Sequence, residues 1–223
     1  MATIRFYFDY ISHNAYLAWT QLPQLAARHG ATIEPQPVLL AGLLEAHGTL
    51  GPAEIPAKTA WMNKNVLRKA AQLGVPLRPP AFHPFNPLLA LRVSSLPLEV
   101  MARTRLIDAL FAAVWAHGQH VEERAVVEAA ADAAGLDGAA LVAAAQEVDN
   151  KARVRQQTEA AIVAGVFGVP SMLVGDQLFW GFDDFAHLEL LLAGRDPLDG
   201  AALRRWQAAA QPSAVRRRPP RPA

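Results

Sequence analysis

Strand-like sequence occurs only toward the two ends of this chain, and that separation constrains the fold more than any other feature. Residues 3–8, TIRFYF, are β-branched and aromatic, which suits a pleated, half-buried surface. Residues 31–38, ATIEPQPV, form a second such stretch, with prolines that belong at a sheet edge or a strand end. Far downstream, VPSMLVG (169–175) and QLFWG (177–181) flank a tight turn at Gly175-Asp176. Neither end can stand alone, because a two-stranded unit is marginal in water. The two ends are therefore expected to pair into one sheet, with everything between them inserted.

The intervening residues read as helix. Tyr16, Leu17, Trp19, Leu22 and Leu25 recur at helical spacing over 14–29, and Gly30 follows as a stop, so the chain opens β-α-β. From about 39 to 147 come Ala- and Leu-rich segments punctuated by Gly and Pro: LLAGLLEAHG, AKTAWMNKNVLRKAAQLG, PLEVMARTRLIDALFAAVWAHG and ERAVVEAAADAAG. The helical pattern resumes over 138–166, ending near Gly165. A last helix is predicted in DDFAHLELLLAG, whose leading acids complement the macrodipole. The expected class is α/β, with a large all-helical insertion over 46–147 between sheet-forming parts at 1–45 and 148–210. Residues 211–223 hold Arg216, Arg217, Arg218 and Arg221 among prolines, and are expected to be a disordered basic tail.

Composition narrows the function classes. With 223 residues, 52% hydrophobic, the chain can bury a sizeable core. A net charge of +1 gives no argument for nucleic acid or an acidic membrane surface. No apolar run reaches the roughly 18 residues of a membrane span. The start, MATIRFYFDY, lacks the basic and apolar regions of a secretory signal, so a cytoplasmic protein is expected. There is no cysteine, which excludes disulfides, thiolate metal sites and a thiol nucleophile of the chain's own. The seven histidines show no HExxH-like spacing, and no metal site is expected.

Five stretches can carry chemistry. In FDYISHNAYLAW, Ser12 stands where strand gives way to helix. It, or Asn14, is a natural N-cap. The same position, with unpaired backbone N–H groups and the positive end of a dipole, holds anions, and a hydroxyl there can hydrogen-bond a thiolate. With no cysteine in the chain, that thiolate has to be borrowed. In GVFGVPS, Val169-Pro170 is either an ordinary strand entry or a cis bond that turns the adjoining backbone toward a peptide-like ligand. In LFWGFDDFAHLE, Asp183 and Asp184 serve either as helix caps or as a carboxylate for a ligand's amino group. In PAKTAWMNKNVLRKA, Lys58 and Trp61 lie at i and i+3, with Asn65 and Arg68 a turn or two beyond: a solvated face with a core tryptophan, or a ligand-contacting stripe. FHPFNP places His83, Phe85 and Asn86 in a Pro-bounded loop that can line a pocket for an aromatic acid.

Taken jointly, FYFDYISHNAYLAW, GPAEIPAK…W…LRKAAQLGVPL, HPFNPLLALR and GVFGVPSMLVGDQLFWG resemble the 2-hydroxychromene-2-carboxylate isomerases. These are glutathione-dependent relatives of the kappa-class glutathione transferases and of bacterial disulfide-bond oxidoreductases. The resemblance covers about residues 3–195 and implies a thioredoxin-like fold with a helical insertion. It also implies glutathione as cofactor, an aromatic 2-oxo acid as small-molecule partner, and a homodimer. By the same resemblance Ser12 contacts the glutathione sulfur, where disulfide relatives keep their first cysteine. Val169, ahead of the cis-Pro170, pairs with the cysteinyl part. Lys58 contacts the glycyl carboxylate region and Asp183 the γ-glutamyl amino group. Phe182 replaces a frequent serine, leaving only its backbone N–H for the γ-glutamyl carboxylate. His13 replaces a frequent proline and Asn65 a frequent aspartate. His13, Trp61 and Asn86 are the candidate substrate contacts. A kappa-like transferase and a non-catalytic glutathione- or peptide-binding module are the competing readings; a disulfide oxidoreductase is disfavoured for want of a thiol.

Overall fold

Alternation along the first strand sorts the molecule into two sides. In the computed structural model, which describes residues 1–209, β1 spans Thr3–Phe8. Its Ile4, Phe6 and Phe8 point into one apolar cluster and Tyr7 into another, as the two-residue period of a strand dictates. The chain then runs through α1 (His13–Arg28) into β2 (Thr32–Pro37), which lies parallel to β1 with Thr3 opposite Thr32 and Phe8 opposite Pro37. The downstream strands β3 (Ser171–Val174) and β4 (Gln177–Trp180) complete a sheet of order β2-β1-β3-β4, with β3 antiparallel to both neighbours. The two ends of the sequence do pair, as expected. The Arg/Pro-rich tail expected to be disordered lies outside the described residues.

The larger cluster joins one sheet face to α1 and to the inserted helices. Around Phe8 gather Phe6 at 5.7 Å, Tyr10 at 5.3 Å, Phe111 at 5.4 Å and Trp19 at 6.3 Å between ring centroids. Each such buried ring contributes about 1.5–3 kcal/mol from the area removed from water. After β2 come α2 (Leu40–His47) and then the helices α3 (Pro56–Leu73), α4 (Leu88–Ser94), α5 (Val100–Phe111), α6 (Arg124–Ala133) and α7 (Gly138–Ala144). The smaller cluster, on the opposite face, holds Tyr7, Val38, Leu43 of α2, Leu173, and Ala161 of α8 (Val148–Val163). After β4 come α9 (Phe185–Leu192) and α10 (Gly200–Ala209).

Where sequence and structure differ, local chemistry explains it. The single helix expected over 97–118 begins only at Val100, where the Glu99 side chain accepts from the Met101 N–H, and it finishes in a π-helical turn, Ala112–Ala116. The pattern over 138–166 divides into α7 and α8. The unpredicted α4 has seven residues, too few for periodicity to register. Its start is marked by Asn86, whose side-chain oxygen accepts from the Leu88 N–H at 3.0 Å.

Candidate active site

The site is built at the end of β1. The Ser12 N–H donates to the Asp9 carbonyl at 3.0 Å, closing the turn between strand and helix. Ser12 has extended backbone (φ −96°, ψ 108°), and its Oγ accepts from the Ala15 N–H at 3.2 Å. Ser12, not Asn14, is therefore the N-cap of α1. Capping does not exhaust the hydroxyl: accepting from Ala15 uses a lone pair and leaves the O–H proton to donate outward. The early N–H groups of α1 have no intrahelical acceptor and add positive potential at the same place.

Two buried ionisable residues flank Ser12. The Asp9 carboxyl is 1% exposed, and it accepts from the Ile11 N–H (3.1 Å) through one oxygen and the Leu40 N–H (2.8 Å) through the other. It thereby ties the β1–α1 turn to the start of α2. Burial pushes its pKa up to about 7, against those two stabilising N–H bonds. His13 is 6% exposed and meets Trp115 edge-on at 5.5 Å, with His83 at 6.2 Å. Burial first, then the charges of His83 and Lys69, lowers its pKa to about 4, so its ring is neutral at physiological pH. Neither His13 ring nitrogen, nor the Asn14 side-chain oxygen, has a hydrogen-bond partner among the described residues. The loop over 75–87 and the π-helical turn at 112–116 close this side: His83 Nε2 bonds the Ile11 carbonyl at 2.9 Å, and Trp115 Nε1 donates to the Tyr10 carbonyl at 2.8 Å.

The second wall is Val169-Pro170, whose peptide bond is cis. The register Tyr7 opposite Ser171, continued by one residue, sets Pro170 beside Phe8, next to the turn that leads to Ser12. The Pro170 carbonyl accepts from the Gly181 N–H at 2.8 Å. Among the described residues neither backbone group of Val169 is hydrogen-bonded. Trp180 lies over Gly168, where a Cβ would come within 2.8 Å of its Nε1, and packs at a tilt against Phe167 at 5.3 Å.

The third wall is a 3-10 turn, Phe182–Asp184, which packs against α1 and follows Gly181 at φ +79°. Both acids were possible caps, and the structure gives them other partners. Asp184 accepts from the Trp180 N–H at 2.8 Å, and Asp183 pairs with Lys69 of α3 at 2.9 Å. The Phe182 ring lies between Phe185 at 4.9 Å and the Lys69 ammonium at 5.7 Å.

The structure thus gathers Ser12, His13, Val169, Pro170, Phe182 and Asp183 around the end of α1. It does not bring Lys58, Trp61 or Asn86 into hydrogen bonds with them. Lys58 is exposed in the first turn of α3, and Trp61, expected as a core or ligand-contacting residue, is 60% exposed. Asn86 spends its side-chain oxygen on α4. Sequence reasoning missed Asp9 and Lys69. The signal for Lys69 was present, since it continues the stripe Lys58, Trp61, Asn65 by one further turn.

Comparison with known proteins shows the family and the fold. Residues 3–193 match the family described as DSBA-like thioredoxin domain, the fold of a thioredoxin-like sheet with a helical insertion. A 2-hydroxychromene-2-carboxylate isomerase from Sphingobium xenophagum is 32% identical over 192 residues, covering 85% of this chain and 97% of that protein. The chain belongs to the 2-hydroxychromene-2-carboxylate isomerase family. A solved 2-hydroxychromene-2-carboxylate isomerase superposes with a TM-score of 0.80 at 27% identity, over 94% of this chain and all (100%) of that one. Glutathione S-transferase kappa 2 of Caenorhabditis elegans is 26% identical over 184 residues, 78% of this chain and 81% of its own. Within the isomerase family, then, this chain pairs a cysteine-free sequence with the helix-end serine described above.

Proposed function

We propose that this chain is a glutathione-dependent isomerase that takes 2-hydroxychromene-2-carboxylate, or a related cyclic hemiketal, to the trans-o-hydroxybenzylidenepyruvate-type product. The observation that carries the reading is Ser12. In a chain with no cysteine, a hydroxyl sits at the N-terminus of α1 with its proton available beside unpaired N–H groups. The Val169 backbone, the His13 ring and the Asn14 oxygen have no hydrogen-bond partners among the described residues, which supports a polar ligand at this place.

Bound glutathione supplies the thiol whose reversible addition lets a conjugated double bond rotate, a covalent step the chain cannot perform alone. Ser12 donates its O–H to the sulfur and, with the helix end, favours the ionised form. Val169 pairs through its backbone with the cysteinyl residue, as an added strand would. Asp183 receives the γ-glutamyl ammonium, and Phe182 offers only its backbone N–H beside it. Lys58 meets the glycyl carboxylate. His13, neutral, presents one donor and one acceptor to a substrate oxygen, with Trp61 and Asn86 as outer contacts from the helical insertion.

The test is a glutathione-dependent assay on the chromene carboxylate that follows trans product and free thiol together. The expected result is product without thiol consumption. A stable conjugate would move the reading to a transferase, and binding without turnover to a non-catalytic module.

A further inference from the structure

The ion pair between Lys69 and Asp183 is lopsided. The lysine side chain is 11% exposed and the aspartate 77%, so the pair shows its carboxylate to solvent while the ammonium is held from behind. Phe182 provides that support, with its ring 5.7 Å from the ammonium. An ammonium has three donors, and among the described residues Asp183 is the one hydrogen-bond acceptor of Lys69.

We propose that Lys69 and Asp183 form a clamp for a zwitterionic α-amino acid headgroup, with Lys69 holding the carboxylate and Asp183 the ammonium. This rests on the glutathione reading, and it makes Lys69 the residue that recognises the γ-glutamyl carboxylate. Three observations point the same way. Charge complementarity is the first: a zwitterion inserted between an opposed pair replaces one neutral arrangement by another, so no net charge is added to the half-buried site. The second is the Phe182 side chain, whose ring lies 5.7 Å from the Lys69 ammonium. That side chain has no hydroxyl for a carboxylate, yet it holds in place a cation that serves instead. The third is position. Lys69 is paired to the 182–184 turn, and that turn and α3 both pack against α1, whose first residues are Ser12 and His13. Lys69 also lies eleven residues beyond Lys58 on one helix, a rise of about 16 Å. An extended tripeptide spans about 11 Å, and the reach of two lysine side chains covers the difference. Glutathione carries two carboxylates and one ammonium; the stripe offers two lysines and the turn one carboxylate.

The experiment is a calorimetric comparison of three peptides on the wild type, Lys69→Met, Lys69→Arg and Asp183→Asn, with circular dichroism to verify folding. The peptides are glutathione, γ-aminobutyryl-cysteinylglycine (no α-carboxylate) and glutaryl-cysteinylglycine (no α-amino group). Lys69→Met is expected to weaken glutathione about tenfold and to leave the decarboxylated peptide within twofold of wild type, with Lys69→Arg restoring most of the loss. Asp183→Asn should show the reciprocal pattern with the deaminated peptide. Equal losses for glutathione and the decarboxylated peptide, or no loss in Lys69→Met, overturn the clamp while the wild type still binds glutathione. Failure of the wild type to bind glutathione at all overturns the cofactor reading and the clamp together.

Discussion

The two ends of the candidate site are made of different materials. At the Ser12 end the work is done by main chain and buried groups: an N-cap, unpaired helix N–H groups, a carboxyl at 1% exposure and an imidazole at 6%. At the Asp183 end it is done by two side chains, one of them 77% exposed, that meet across 114 residues of sequence. The first end is rigid because losing any contact leaves a buried polar group unpaired. The second is an ion pair open to water on its carboxylate side, and pairs that water reaches contribute about 0.2–1 kcal/mol. On the proposed function, the rigid end serves the chemistry and the open end the recognition of the headgroup.

The largest expected effect comes from breaking the rigid end at its donor. Ser12→Ala should lower glutathione-dependent turnover by about 2–4 kcal/mol in the barrier, roughly 30- to 1,000-fold. Loss of the cap alone should cost about 0.5–2 kcal/mol of stability, so turnover and thermal unfolding measured side by side separate the two roles. Unchanged turnover would leave Ser12 a cap and nothing more.

The next effect is on pH. His13 has its folded pKa depressed to about 4 from 6.5, so its contribution to stability is present above pH 6.5 and is lost as pH falls toward 4. Asp9 is raised from 3.8 to about 7, so its contribution is present below pH 3.8 and is lost as pH rises through 7. Between about pH 4 and 6.5 the two oppose each other. Relative to wild type, Asp9→Asn should become more stable as pH rises through that window, and His13→Gln less stable. Each slope is up to about 1.4 kcal/mol per pH unit. Denaturant midpoints across the window check this, and parallel profiles for both variants would contradict it. The smallest effect is at the open end: Lys69→Met should change unfolding stability by less than about 1 kcal/mol, whatever it does to ligand affinity. A loss of several kcal/mol would make the pair a structural brace.

The same contrast decides what could be read from the sequence. The β-α-β opening, the pairing of the chain ends and the Ser12 cap were legible because they follow from neighbouring residues: alternation, helical spacing, a serine before an apolar stripe. The Asp183 partner was not, because Lys69 and Asp183 approach only after α3 and the 182–184 turn are both seated on α1. Asp184 shows the limit within a motif: its place before a helix suggested a cap, but the Trp180 N–H from β4 competes for it successfully. His13 stood out in the sequence as a candidate substrate contact, but its burial did not. Its burial depends on Trp115, which the π-helical turn at the end of α5 carries over it.

The central claim is that the α1 N-terminus and the Ser12 hydroxyl stabilise a sulfur anion that the chain does not own. Its most direct measurement is the thiol pKa of bound glutathione, followed by thiolate ultraviolet absorbance in wild type and Ser12→Ala. The expected value lies well below the ordinary thiol value of about 8.5 in the wild type and is raised by about one unit or more in the variant. A bound thiol titrating near 8.5 in the wild type, or with the same depressed value in both proteins, would contradict it.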